Sequence, residues 1–472
     1  MSDKGELLKR KMSDKGESLK RKRKRRIASR KRDGSWTRCM YWMEKKRRYC
    51  CMPRVDGIMF CGTHSPLQKR VPCPLDPNHT VRESELEAHV KKCTTIRKMR
   101  ELRAKPYYLC DCNIGGKLED DEKIDEIERW ENLEDFEKWL STQLCTLRTY
   151  FSKQKERAIR TYAKYLHIPN ESGKYIASVK AFKSNASLSS SVPVSSSHEP
   201  GHMYMKFSSE RHRKQHEGII SLLRKHDSVI NRFKKTTIIE FGSGRAGLSW
   251  ALNCALNEEA KKRNETRRER FLLIDRDSIS KKHEKYFTGA ESSTRICMDI
   301  RHLNLRGVSE LSRFSSSSSS SNLDGVSSIS KHLCGAATDL SLRCLHNFDR
   351  EREHRTQAIA YALCCHGACK WQEFVGRTYF RKILKFDRHD FSKVAKSSGW
   401  MCGYGSTSLY PDIDMKTRLR YIALGRACKR LVDAGRILFL VRDMNMQHAE
   451  LVPYCDETLT PENLMLLAWS NK

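Results

Sequence analysis

Residues Thr236 to Ser249 read TTIIEFGSGRAGLS, and this stretch decides the fold class. A β-prone apolar run ends in a glycine-rich turn, and the helix-forming segment LSWALNCAL follows at once. Gly242 and Gly244 let the backbone turn tightly against a ligand, and Gly247 lets the next helix pack close. Strand-like and helical segments then alternate: FLLID, a charged stretch read as a helix, RICMDI, VSSISKHLC and IAYALCC. That alternation predicts an α/β domain, a Rossmann-like parallel sheet with helices on both faces. Farther on, TRLRYIALGRACKRLVDAG reads as a helix closed by Gly435, and ILFLVRD, AELVPY and NLMLLAW read as strands.

The chain of 472 residues carries 90 Lys and Arg against 57 Asp and Glu, a formal net charge of +33. Such an excess favours a polyanionic partner, nucleic acid first of all, through counterion release. No apolar run approaches the roughly 20 residues a membrane span needs, so no membrane partner is expected. The charged start MSDKGELLKRK does not resemble a secretory signal. In that setting the 19 cysteines point to metal sites or catalysis rather than to a disulfide framework.

Composition divides the chain. Residues 1–35 hold 15 Lys or Arg and 5 acids and read as a disordered basic arm. The arm contains an 11-residue near-duplication and the run KRKRKRR at Lys20 to Arg26, which fits a nuclear import signal or an RNA-grasping tail and allows a nuclear or cytoplasmic location. Zinc modules are expected over 36–66 and 70–95, and a helical connector over 96–183. Within the connector Glu119 to Lys138 holds 11 acids and 3 bases, and apolar residues from Ile124 to Leu147 recur at spacings of three and four. A Ser-rich linker spans 184–201, a catalytic domain 202–472, and the tract from Ser312 to Asn322 reads as a low-complexity loop.

Cys39, Cys50, Cys61 and His64 form the first ligand set, with ten residues between each of the first three and two between the last pair. Cys73, His79, His89 and Cys93 form the second, in CPLDPNHTVRESELEAHVKKC. A helix over SELEAHVKKC puts His89 and Cys93 at i and i+4, on one face toward one metal, behind a loop stiffened by Pro74 and Pro77. Each set completes a tetrahedral zinc site with no open position, so both zinc ions are read as structural.

Glu240 lies two residues before the first glycine. An acid there suits the cationic methionine end of S-adenosylmethionine, whereas a dinucleotide site must accommodate an anionic pyrophosphate. Asp275 ends the next strand, where an acid accepts from ribose hydroxyls, and Asp299 follows the third strand within reach of an adenine. The expected cofactor is therefore S-adenosylmethionine, held by Glu240, Gly242, Gly244, Gly247, Asp275 and Asp299.

The fourth and fifth strands run into SKHLCGAATDL and YALCCHGACKW. Both segments then lie at the carboxyl edge of the sheet, making Lys331, His332, Asp339 and His366 the candidate catalytic residues. Methylation of a ribose hydroxyl needs in-line positioning and a proton acceptor, for which a desolvated Lys331 or His332 serves. Methylation of a pyrimidine base at C5 needs a covalent thiol instead, and Cys364 and Cys365 keep that alternative open.

These residues resemble a known family, the eukaryotic tRNA methyltransferases that modify the ribose 2′-hydroxyl at position 4 of the acceptor stem. The resemblance runs from Cys39 nearly to the end and rests on CMYWMEKKRRYC with CGTH, CPLDPNHTVRESELEAHVKKC, IIEFGSGRAGLS, KHLCGAATDL and GRACKRLVDAGR. It implies methyl transfer from S-adenosylmethionine to a 2′-oxygen of tRNAs such as those for glycine, proline and histidine. The second zinc module is also similar to the CHHC fingers of spliceosomal and other RNA-associated proteins. One departure stands out: CCHGAC has Gly367 where the family carries a second histidine, which leaves His366 as the imidazole to test. Besides the base-directed enzyme, the remaining alternative is an RNA-binding adaptor with a degenerate methyltransferase fold.

Overall fold

The computed structural model describes residues 38–44, 48–65, 69–116, 132–169, 209–234, 236–278, 283–287, 290, 292–312, 325–350, 356–403 and 413–471. The basic arm, the Ser-rich linker and the poly-Ser tract lie outside them. The chain divides into two compact units, residues 1–104 and 105–472.

In the first unit, β1 (Trp42–Met43) pairs with β2 (Arg48–Tyr49) and β3 (Arg70–Cys73) with β4 (Asp76–Arg82), both antiparallel. Residues 76–82, expected as a loop, are therefore a hairpin strand, and the expected helix follows as α1 (Leu86–Lys92). Cys93 sits just beyond the end of α1.

The second unit contains a seven-stranded sheet built from β5 (Thr237–Phe241), β6 (Arg270–Asp275), β7 (Ser292–Cys297), β8 (Val326–Lys331), β9 (Thr356–Ala362), β10 (His448–Pro453) and β11 (Leu464–Trp469). Their order is β7-β6-β5-β8-β9-β11-β10. The first five are mutually parallel, and β11 runs antiparallel to both β9 and β10. This is the doubly wound class expected from the alternation. The chain leaves β5 toward β6 on one side and later returns to β8 on the other, so a crevice opens between the carboxyl ends of β5 and β8.

Three helices matter for the site. The segment α2 (Leu133–Ser152) is capped by Asn132, whose Oδ1 accepts from Glu134 N at 2.8 Å, and it buries Phe136, Leu140, Leu144 and Leu147, the stripe read from the sequence. The acidic residues 117–131 that precede it lie outside the described residues. Helix α2 packs on the helix Met415–Arg442: Glu137 accepts from Arg420 Nε at 2.6 Å, and the Tyr150 hydroxyl accepts from Arg442 at 2.7 Å. Helix α3 (Glu210–Lys225) leads into the sheet, and α4 (Gly247–Arg263) follows the glycine turn.

The largest departure from expectation is α5 (Met415–Arg442), which runs straight through Gly435 and includes ILFLVR. Gly435 is a packing position rather than a stop. A Cβ there would fall 2.4 Å from Phe374 Cζ and 3.1 Å from Gly376 Cα. From Leu424 to Val441 nearly every residue of α5 is buried, and a helix covered on all sides has no polar face from which its period can be read.

Candidate active site and metal centres

The glycine turn is held open by backbone and side-chain bonds around its rim. Gly242 and Gly244 adopt φ of +65° and +48°, which only glycine adopts without strain. Ser243 N donates to Ile274 O at 2.9 Å, and Arg295 Nη1 donates to Ser243 Oγ at 3.0 Å and to Gly244 O at 2.9 Å. A Cβ on Gly244 would meet nothing within 4 Å, so the turn faces open space. Asp275 stands at the edge of that space, its Oδ2 accepting from Gly244 N at 2.7 Å and its Oδ1 from Asp277 N at 2.9 Å. Each oxygen keeps acceptor capacity for a further donor.

Glu240 is 3% exposed, and its Oε2 accepts from Ser249 N and Ser249 Oγ, tying β5 to the first turn of α4. Burial raises its carboxyl to about 7 against the opposing pull of those Ser249 bonds and of Arg295 and Lys331. Asp299 caps a short 3-10 turn, accepting from Arg301 N at 2.9 Å. Gly247 opens α4 against His216, whose Cε1 would lie 3.1 Å from an added Cβ.

Across the crevice, the loop after β8 touches the glycine turn, since a Cβ on Gly242 would come within 3.1 Å of Leu333 Cδ1. Lys331 ends β8, 8% exposed, with its Nζ 3.0 Å from His216 Nε2. Desolvation lowers Lys331 to about 8, with Arg211 pushing the same way and Glu240 and Cys455 opposing. His216 is pushed well down by burial and then by Lys331, His212, His332 and His283, so its imidazole is neutral and its Nε2 accepts a hydrogen bond from the Lys331 ammonium. His332 is exposed beside Lys331 with φ of +62°, and its ring centroid lies 6.1 Å from that of His212. His212 and His216 are not among the candidates that the strand ends single out. Their signal is HRKQH at the start of α3, which puts two imidazoles at i and i+4.

Asp339 and His366 are placed elsewhere. Asp339 is bonded to Arg436 at 2.7 Å, both 1% exposed. Arg436 reaches on to Asp433 at 3.1 Å, and Asp433 accepts from His366 Nε2 at 2.7 Å and from Arg430 at 3.2 Å. The five groups form a buried chain that fastens α5 to the segments following β8 and β9, with His366 also lining a small cavity beside Lys429 and Glu462. All of these partners on α5 come from GRACKRLVDAGR, a motif noted from the sequence without a role.

Both predicted zinc sets converge, each with its ligand atoms within 4.8 Å of one another. Tetrahedral zinc with bonds of about 2.0 to 2.3 Å sets S–N, N–N and S–S separations near 3.5, 3.3 and 3.8 Å. His64 Nδ1 lies 3.4 Å from the sulfurs of Cys39 and of Cys61. In the second set His79 and His89 meet at 3.1 Å through their Nε2 atoms, and the sulfurs of Cys73 and Cys93 are 4.0 Å apart. Both donor sets therefore fit zinc.

The chain is similar to known proteins over most of its length. The family model "Methyltransferase TRM13" matches residues 214–469, more than half of the chain. "CCCH zinc finger in TRM13 protein" matches 37–65 and "U11-48K-like CHHC zinc finger" matches 70–94. The tRNA:m(4)X modification enzyme TRM13 of Vanderwaltozyma polyspora is 28% identical over 463 residues, 91% of this chain and 97% of that protein. The Homo sapiens homolog is 27% identical over 92% of this chain and 95% of its own, and the Saccharomyces cerevisiae enzyme 26% over 91% and 95%. Among the described residues no helix is long and apolar enough to cross a membrane.

Proposed function

Because the chain belongs to the TRM13 methyltransferase family, we propose that it transfers the methyl group of S-adenosylmethionine to the ribose 2′-hydroxyl at position 4 of a tRNA acceptor stem. The tRNAs for glycine, proline and histidine are the expected substrates. The observation that carries this reading is the buried Lys331, at the switch point of the sheet and beside the glycine turn.

S-adenosylmethionine fits the open space beside Gly244, and when bound it supplies an electrophilic methyl group. Gly242, Gly244 and Gly247 let the chain approach it, Asp275 has acceptor capacity left for ribose hydroxyls, and Asp299 lies beyond β7 for the adenine. Glu240 stays buried behind the turn and fixes its shape through Ser249. Lys331, once neutral, accepts the proton of the attacking hydroxyl, and His332 on the exposed rim contacts the ribose. The two N-terminal ligand sets each hold one structural zinc, and the net charge of +33 favours the tRNA backbone.

The test is alkaline hydrolysis of tRNA after reaction. A 2′-O-methyl group removes the internal nucleophile and leaves an uncleaved dinucleotide at the modified position; full cleavage there contradicts the reading. Lys331→Ala should lose on the order of 10²-fold or more in rate. The parent rate should rise with pH through about 8 as Lys331 loses its proton, against the local field of Glu240, Arg211, His212, His216, His332 and Cys455. Asp275→Ala should weaken S-adenosylmethionine binding in calorimetry and leave tRNA affinity unchanged.

A further inference from the structure

Three thiols gather at the same carboxyl edge and take no part in the reaction above. Cys334 lies in the loop after β8, and Cys364 and Cys365 follow β9; the three sulfurs lie within 4.8 Å of one another. Cys334 and Cys364 approach to 3.4 Å. The same 4.8 Å limit holds for the two zinc sets of the first unit, and the 3.4 Å contact is somewhat shorter than the 4.0 Å between Cys73 and Cys93 and the roughly 3.8 Å of tetrahedral thiolates on zinc.

Two features hold the thiols together. A Cβ on Gly335, which has φ of +59°, would fall 2.6 Å from Ala368 O, so the two loops are in backbone contact only because that residue is glycine. Thr338 Oγ1 donates to Leu333 O at 2.7 Å and Ala368 N to Cys365 O at 3.0 Å, closing each loop on itself. Cys365 is held at φ of +47°, in the left-handed region that a non-glycine residue adopts at a cost of about 1 to 3 kcal/mol. Such strain persists where the surroundings over-determine it, and here it turns the Cys365 sulfur toward its two partners.

We propose that Cys334, Cys364 and Cys365 hold a third zinc ion, bound by three thiolates and with its fourth position open to water. Cys364 is buried while Cys334 and Cys365 are exposed, so the ion sits at the surface of the loops with one side facing solvent. That is the coordination of a reactive zinc, in contrast to the closed sets of the first unit. Binding releases the protons of the three thiols.

The experiment measures zinc in the full-length protein by elemental analysis after removal of free metal. Cys334→Ser and Cys365→Ser, both at exposed positions, should each carry about one zinc less per chain than the parent, with the two N-terminal modules still loaded. In the parent, Cys334 and Cys365 should resist iodoacetamide until a chelator is added, as read by peptide mass spectrometry. Equal zinc in parent and variants, or immediate alkylation of both exposed thiols, overturns the proposal. So does a mass deficit of two hydrogens in the unreduced protein that maps to a Cys334–Cys364 disulfide. None of these readouts depends on methyl transfer, so the site and the reaction assigned above stand or fall separately.

Discussion

The first zinc module and the methyltransferase unit obtain an interior by opposite means. In the module the buried cluster among the described residues is Cys39, Cys50 and Cys61, with Met43 and Phe60 packed partly against it. In the methyltransferase unit Ile219, Val229, Ile238, Leu252, Phe271 and Leu467 come together from sheet and helices into an extended apolar core. The ligands of the module are therefore also its core. A short segment with few apolar residues cannot bury enough surface to offset its conformational entropy, and a metal replaces what burial would have supplied.

The largest expected effect breaks the two apart. Chelation, or Cys39→Ala combined with His89→Ala, should unfold residues 38–103 completely, because zinc binding in such modules is worth about 10–16 kcal/mol. The methyltransferase unit should keep its own cooperative unfolding transition in calorimetry. A common shift of both would mean that one unit depends on the other for its core.

The second sharpens what holds the large unit. Arg436→Met leaves Asp339 and Asp433 buried without their shared cation, and chemical denaturation should register a loss of about 3–5 kcal/mol. A pH dependence accompanies it. Burial opposes the Asp433 charge, but His366, Arg436 and Arg430 outweigh it and hold the carboxyl down to about 2. An acid depressed in the folded state stabilises above its unfolded pKa of about 3.9, and that stability is lost as pH falls toward 2. In Asp433→Asn this acid sensitivity should diminish; an unchanged acid limb argues against the network.

Gly435→Ala tests packing alone. The new methyl group meets Phe374 and Gly376, and overpacking of this kind costs about 1–3 kcal/mol despite the better helix propensity of alanine. A stabilised variant would mean that the contacts with Phe374 and Gly376 relax freely and that helix propensity decides the sign. The smallest effect is at the start of the same helix: Asp414 Oδ1 accepts from Thr417 N at 3.0 Å, and Asp414→Ala should lower the midpoint of thermal unfolding slightly through loss of this cap.

The comparison also explains what could be read in advance. Zinc ligands are few, chemically distinctive and close in sequence, so both sets were legible from spacing, as were β5, the glycine turn and the stripe of α2. Residues that act through burial were not. The apolar run ILFLVR lacks a polar face, so its helical period is hidden and it reads as a strand. Asp339 and His366 look like reactive groups in sequence because their partners, Arg436 and Asp433, lie 97 and 67 residues away along the chain. Cys334 likewise meets Cys364 across 30 residues, a distance at which ligand spacing carries no signal.

One feature of the sheet bears on how the protein is made. β11 lies between β9 and β10, although both of those strands precede it in the chain. Until β11 is in place β10 has no strand to pair with, and β9, paired with β8 on one side, exposes a free edge on the other. An open edge of this kind recruits strands from other chains. The folding chain is therefore vulnerable to aggregation until β11 slots into the gap between β9 and β10.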